Sequence, residues 1–425
     1  MLDPMNEADI AALFDDLQKK EIPVLYRLLP KEKAADTFTY MSRDMRKTLV
    51  DALTDRELRD VIDDIFIDDT IDMIEEMPAN VVSRILRNTD EQTRKMINQI
   101  LNYPKNSAGS MMTIEYVNIK KDLTVGEAIL RIRSTALDKE TIYTCYVTEN
   151  RKLIGFVSVK DLLLAEDSQQ IEEIMERNVI YAHTHEDKEE VAKMFGKYDF
   201  LAIPIVDAEQ RLVGIITFDD AMDVIEEETT EDLSIMAAVT PTDESYFETS
   251  VFQHARNRVL WLLILMISAT FTGMIITRYE DAFSTIPLLV SFIPMLMDTG
   301  GNCGSQSATL IIRGIALDEV EFRDIFKVIF KEFRIALIVS VSLAIVNALR
   351  IYLMYRDLAI AVVVGLTLMA TIIISKFIGG VLPLLAKRVH LDPAIMASPL
   401  ITTLVDACSI LIYFSVATRL LNISA

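Results

Sequence analysis

The pattern of apolar and polar positions changes character twice along the chain. Up to about residue 105 apolar residues recur at three-to-four spacing, as in Ala34–Phe38–Met41–Met45–Leu49 and Val81–Ile85–Leu86, which predicts short amphipathic helices. Thr54-Asp-Arg-Glu57 and Thr89-Asp-Glu-Gln92 have the form of capping boxes, and Pro30 and Pro78 punctuate the helices. From residue 259 the period disappears under long apolar runs. Val259–Thr277 is 19 residues without a charge, and Leu391–Thr418 holds only Asp392 and Asp406. Between them lie a run from Ala282 through Asp298 and a glycine cluster to Ile312, a run over Ile335–Leu349 reaching about Tyr355, and Leu358–Ala386 interrupted only by Lys376. A membrane-spanning helix needs about 20 mainly apolar residues, so five spans are expected.

The middle of the chain, 106–225, alternates helix and strand and contains a duplication. Leu153-Ile-Gly-Phe-Val-Ser-Val-Lys-Asp161 matches Leu212-Val-Gly-Ile-Ile-Thr-Phe-Asp-Asp220, glycine on glycine. Each copy reads as helix, apolar strand (Ile142–Thr148; Ala202–Val206), polar turn, second strand and helix. The pattern resembles a tandem pair of cystathionine-β-synthase (CBS) domains. In such domains Ser158-x-x-Asp161 and Thr217-x-x-Asp220 match the place that often holds an adenosine ribose, though many pairs bind no nucleotide.

Charge sharpens the division. Residues 1–250 carry 52 acidic and 28 basic side chains, whereas 251–425 carry 11 and 14, so the net −21 belongs to the first half. Such a surface repels nucleic acid and anionic lipid and concentrates cations. With that half in the cytosol, nine Lys and Arg flank the spans inside against four outside, which orients the N-terminus in and the C-terminus out. Cys145, Cys303 and Cys408 have no metal-binding spacing and no partner pattern.

Asp406, near the middle of the last span, is the residue most in need of explanation. An unpaired carboxylate there costs at least about 2.5–3.5 kcal/mol, which marks a cation pathway or a buried partner. Lys376 is one such partner, or it snorkels to an interface; the sequence favours snorkelling. One carboxylate is too few to strip a strongly hydrated Mg²⁺, which keeps several waters and tolerates one or two carboxylates. Two chains would supply two aspartates, so a homodimer with a shared pore is expected. In Pro294–Gln306 the glycines Gly300, Gly301 and Gly304 permit either close helix packing or non-helical backbone lining a water-filled path, and Asn302 and Gln306 offer uncharged carbonyls. Both readings stay open.

In order and motif the whole chain resembles the MgtE family of magnesium channels. The resemblance rests on Gly300-Gly-Asn-Cys-Gly-Ser-Gln306 with Ser307–Arg313, and on Asp392-Pro-Ala, Pro399, Thr402-Thr403 and Asp406. Ser398, before Pro399, stands where some members have asparagine. The expected architecture is an all-α helical-hairpin N-domain (1–105), α/β tandem CBS domains (106–225), a connecting plug helix (226–258) and an α-helical pore domain with five spans (259–425). The resemblance assigns the pore metal to Asp406, with Asn302 beside it. It assigns regulatory metal to Asp68, Asp69 and Asp72, to Asp187, Glu189 and Asp199, and to the plug helix facing Asp392. In that helix Asp220 and Asp223, and Glu228, Glu231 and Asp232, share faces at helical spacing. Tyr143, Asp161 and Phe200 are the candidates for an ATP site in the CBS pair.

The expected function is Mg²⁺ influx down its electrochemical gradient through a multi-pass cell-membrane channel, shut by cytosolic Mg²⁺. The chain carries no phosphate-cradling loop of a pump and no nucleophile–base constellation of an enzyme. The competing readings are a CBS-regulated transporter of Mn²⁺ or Co²⁺, and a membrane sensor without transport.

Overall fold

The computed structural model describes residues 5–15, 17–242, 246–247, 249–279 and 286–421. It divides into two units, Met1–Glu226 and Glu227–Ala425.

The first unit opens with eight short helices: α1 (Glu7–Asp15), α2 (Ile22–Tyr26), α3 (Lys31–Thr39), α4 (Arg43–Ala52), α5 (Asp55–Ile62), α6 (Ile67–Glu76), α7 (Ala79–Asn88) and α8 (Glu91–Ile100). Each packs mainly on the next but one (α1 on α3, α3 on α5, α5 on α7, α6 on α8), which stacks the helices into one array. Ala34, Phe38, Met41, Met45 and Leu49 are all buried, although a break at Tyr40–Ser42, which holds Met41, separates Ala34 and Phe38 on α3 from Met45 and Leu49 on α4. The predicted box at Thr54 forms: Thr54 N donates to the Glu57 carboxylate at 2.7 Å while Glu57 N donates to Thr54 Oγ1. The second does not. Asp90, not Thr89, caps α8 by accepting from Gln92 N and Thr93 N, because Thr89 closes α7 and its hydroxyl donates to the Ile85 carbonyl.

The duplicated segment folds as two three-stranded sheets of the same order. β1 (Tyr116–Lys120) runs parallel to β2 (Thr141–Glu149), which pairs antiparallel with β3 (Lys152–Ser158). Between and after these come α9 (Val125–Thr135), α10 (Val159–Leu164) and α11 (Ile171–Ile174). The second copy repeats this with β4 (Ala182–His183), α12 (Lys188–Tyr198), β5 (Ala202–Val206) and β6 (Leu212–Thr217). The matched glycines have a common cause. A Cβ on Gly155 would come within 2.8 Å of the Glu176 carbonyl, and one on Gly214 within 2.7 Å of the Thr113 carbonyl. In each copy an extra segment pairs with the strand beside the glycine, Glu176 with Phe156 and Thr113 with Ile215, and only glycine leaves room.

β6 runs directly into α13 (Phe218–Met236). The second unit then holds α14 (Val251–Arg278), α15 (Ile293–Ala316), α16 (Ile325–Tyr355), α17 (Leu358–Arg388) and α18 (Ser398–Leu420). Among the described residues four helices are long and apolar enough to cross a membrane: α14, the 34-residue Phe322–Tyr355 containing α16, α17, and the 28-residue Pro393–Leu420 containing α18. α15 has 24 residues, about 36 Å at 1.5 Å each, but carries a polar stripe. Its expected start at Ala282 lies outside the described residues, as do 280–285; within them Pro287–Phe292 forms a 3₁₀ turn and Pro294 sits in the first turn of the helix. α15 packs against both α17 and α18.

Candidate functional site

The glycine cluster is helical throughout, which settles the ambiguity left by the sequence. On α15 one face is cut down for close packing. A Cβ on Gly300 would reach 2.7 Å from Thr371 Cγ2 and 2.9 Å from Val405 Cγ1, and one on Gly301 2.8 Å from Thr402 Cγ2. A Cβ on Gly379 of α17 would overlap the Gly304 carbonyl oxygen outright. The glycines therefore bring α15 and α17 into backbone contact and let side chains of α18 seat on the α15 backbone, as small residues do in membrane bundles.

The other face of α15 is polar and exposed. Asp298, Asn302 and Gln306 recur every four residues along it, and Thr309 and Arg313 continue it. Asp406 projects from α18, about 12 Å along that helix at 1.5 Å per residue. It is half-buried, and its Oδ1 is enclosed with no hydrogen-bond partner among the described residues. Asp298 is near enough for the two negative charges to repel. A carboxylate oxygen held this way, with the charge of a second carboxylate near it, offers negative potential and an oxygen ligand to a passing cation.

Lys376 neither pairs with Asp406 nor snorkels. It is buried against Ser307 of α15, 3.1 Å away, and Glu332 of α16, 3.9 Å away. Both sequence readings are corrected. A buried acid on α16, Glu332, was the missing partner; it stands in the sequence among the basic residues Lys327, Lys331 and Arg334.

At the end of α13, Met236 packs against Ala308, Ile312, Ala397, Ile401 and Val405, a cluster drawn from α15, α18 and the turn before α18. The last part of α13, with Glu228, Glu231 and Asp232, thus leads to the two helices that carry Asn302 and Asp406. Asp392 caps the short turn before α18 by accepting from Ala394 N at 2.7 Å.

The first unit gathers a second group of carboxylates. Asp68 and Asp69 open α6, and they meet Asp219 and Asp220 at the start of α13, with Glu115 and Glu140 from the first α/β repeat. Asp68 is 7% exposed; burial first, then the charges of Asp220, Glu140 and Asp69, hold its carboxyl well above the usual range. Burial likewise pushes Glu140 up to about 8, helped by Asp219 and Asp220. Asp220 is pushed up to about 7 by burial, even though its carboxylate accepts from Thr217 Oγ1 at 2.7 Å. Asp69, at the solvent edge, is also raised, with Arg46 offsetting part of the effect. Asp72 and Asp223 lie exposed on the same two helices. The sequence missed Glu115, Glu140 and Asp219, since nothing in their spacing links them to α6.

The remaining candidates are dispersed. Asp187 caps α12 by accepting from Glu189 N, Glu189 pairs with Lys193 at 2.8 Å, and Asp199 closes the helix with φ 54°. Asp161 accepts from Ser158 Oγ at 2.5 Å, Tyr143 is exposed, and Phe200 stacks on Tyr198 with centroids 5.4 Å apart. Among the described residues no three His, Cys, Asp or Glu converge closely enough to grip a bare metal ion. The candidate donors are all oxygen atoms, the type that hard cations take.

Comparison with known proteins gives a consistent result. The family described as a divalent cation transporter matches residues 293–416, the MgtE intracellular N domain matches 5–106, and the CBS domain matches 108–168 and 171–227. The magnesium transporter MgtE of Thermus thermophilus is 36% identical, over 99% of this chain and 94% of its own. That of Bacillus subtilis is 32% identical, over 97% and 94%. The crystal structure of the cytosolic domain of the Mg²⁺ channel MgtE in complex with ATP covers 52% of this chain and 92% of its own at 36% identity, with a TM-score of 0.50. The N-terminal helical array, the paired CBS repeats and the membrane helices around Asp406 thus belong together in a known order, and the chain is a member of the MgtE family, a family of transporters and not of enzymes.

Proposed function

We propose that this protein is a magnesium channel of the cell membrane, carrying Mg²⁺ inward and shut by cytosolic Mg²⁺. The observation that carries the reading is the enclosed Oδ1 of Asp406 on a membrane helix, without a hydrogen-bond partner among the described residues and within reach of the Asp298 charge. Uncompensated charge at that depth is retained where it serves an ion path. Five helices cross the membrane, α15 among them, with the N-terminus in the cytosol and the C-terminus outside. The pore is shared by a homodimer, so that two Asp406 carboxylates and two Asn302 amides surround an ion that keeps most of its water. A divalent ion gains about 4.6 kcal/mol per 100 mV of inward membrane potential, so the path needs no fuel.

Gating rests on the acidic helices. Asp68, Asp69, Asp72, Asp220 and Asp223, with Asp219, Glu115 and Glu140, form one candidate regulatory site. Glu228, Glu231, Asp232 and Asp392 form a second beside the pore helices. Asp187 with Glu189 at the start of α12, weakened by the Glu189–Lys193 pair, and Asp199 at its end, about 18 Å further along the helix, are separate further candidates. Bound Mg²⁺ would supply positive charge that lets these carboxylates approach one another; without it they repel, and the end of α13 is released from the cluster around Met236. The domains act as helical sensor (1–105), CBS pair (106–225), connecting plug (226–258) and pore (259–425). A relative's ATP complex supports an adenosine-nucleotide site at Tyr143, Asp161 and Phe200.

The test is ion flux through the purified chain in liposomes. Mg²⁺ influx that falls as internal Mg²⁺ rises is expected; flux of Mn²⁺ or Co²⁺ without Mg²⁺, or no flux at all, would overturn the reading.

A further inference from the structure

Glycine faces bring helices close but contribute no side chain of their own to fix the register. Between α15 and α17 two polar contacts supply what the glycines lack. Ser375 Oγ donates to the Gly300 carbonyl, and the next residue, Lys376, donates to Ser307 Oγ at 3.1 Å. These contacts land about two turns apart on α15. A third helix joins them: Ser307 Oγ donates to Glu332 Oε2 of α16 at 2.6 Å, and Lys376 Nζ lies 3.9 Å from the same oxygen. The side chains of Lys376 and Glu332 are only 6% and 8% exposed, so neither charge has water to fall back on. A Cβ on Gly380 would sit 3.2 Å from Glu332 Cγ, so the glycine makes room for the acid.

The geometry points to a register lock: Ser307, Glu332 and Lys376 are positioning residues that set the rotation and height of α15. At about 100° per residue, Gly300 and Ser307 lie roughly 160° and 140° around α15 from Asn302, the middle of the polar stripe. Any turn of the helix that loosens the lock therefore moves the polar stripe relative to Asp406. This inference rests on the proposal that the stripe lines the ion path.

The test uses the full chain in liposomes, with Mg²⁺ flux measured against Ca²⁺ competition and with thermal melting in detergent alongside. Ser307→Ala and Lys376→Met should raise half-saturating Mg²⁺ by about 3- to 10-fold, the scale of a lost interhelical polar contact, and weaken discrimination against Ca²⁺. The double variant Glu332→Gln/Lys376→Met removes both charges while an amide can still meet Ser307, and should return to within about twofold of wild type. If Lys376→Met yields no folded protein, Ser307→Ala and the double variant decide the matter. A Ser307→Ala chain with a lower melting temperature but unchanged half-saturation and selectivity overturns the lock, as does a double variant no better than Lys376→Met. Wild-type chain that passes no Mg²⁺ removes the proposed function and the lock together. Conducting wild type with an unaltered Ser307→Ala removes the lock alone.

Discussion

Mg²⁺ binding to the cytosolic unit should release protons, by an amount the carboxylate cluster sets. Glu140 at about 8 and Asp220 at about 7 are protonated roughly nine-tenths and one-half of the time at pH 7. In the unfolded chain both would be ionised. The folded unit thus holds on the order of one to two extra protons from these residues, with Asp68 adding to them. The sign follows from the raised values: stability is greatest in acid and is lost as pH climbs through 7 and 8. The slope from Glu140 and Asp220 is about 2 kcal/mol per pH unit near pH 7 without metal. A divalent cation that takes the place of those protons displaces them. Titration calorimetry of the full chain in buffers of differing protonation heat should give about 1–2 protons released per chain at pH 7, and about a tenth as many at pH 9. Glu140→Gln should lower the pH 7 count. A binding heat independent of buffer at pH 7 would refute the argument, since it would mean the cluster is either already ionised or not where Mg²⁺ binds.

Other consequences can be checked separately. Gly379→Ala forces a methyl onto the Gly304 carbonyl and should cost about 1–3 kcal/mol, read as a lower melting temperature in detergent, whereas Gly273→Ala, with open space around it, should change little. Neutralising Asp220, Asp223 and Asp232 together should remove inhibition by internal Mg²⁺ in flux assays while leaving the maximal rate intact; unchanged inhibition would contradict their sensor role. Tyr143→Ala should weaken ATP binding about tenfold or more by calorimetry, as expected for loss of a stacking surface worth about 1–3 kcal/mol. Thr54→Ala should cost about 1 kcal/mol in unfolding of the cytosolic unit by removing the α5 capping box.

The parts legible in the sequence were those with a local cause. Duplicated strands around Gly155 and Gly214 follow from a pattern of nine residues, and the spans from unbroken apolar runs. Asp406 stood out because a single carboxylate in such a run has no neighbour in sequence to explain it. What stayed hidden depended on contacts between distant segments. Lys376 looked like a snorkelling cation because its partners, Ser307 and Glu332, sit on two other helices and appear polar for ordinary reasons. Glu140 and Glu115 were passed over because their surroundings, Asp68 and Asp219 among them, come from α6 and α13. The glycines of 300–304 were ambiguous because packing and an unwound backbone demand the same residue. Only the neighbours Thr371, Val405 and Ile401 distinguish the two. At Thr89 a capping pattern was present but shifted by one residue, since the same threonine was needed to close α7.

The central claim is that the Asp406 carboxylate forms the ion path. Mg²⁺ influx should therefore be measured in liposomes holding either wild-type chain or Asp406→Asn, a change that keeps the shape and removes the charge. Influx should be robust for the wild type and fall to the background of empty liposomes for Asp406→Asn, with the variant still folded and of native size in detergent. Wild-type influx persisting in Asp406→Asn would contradict the account.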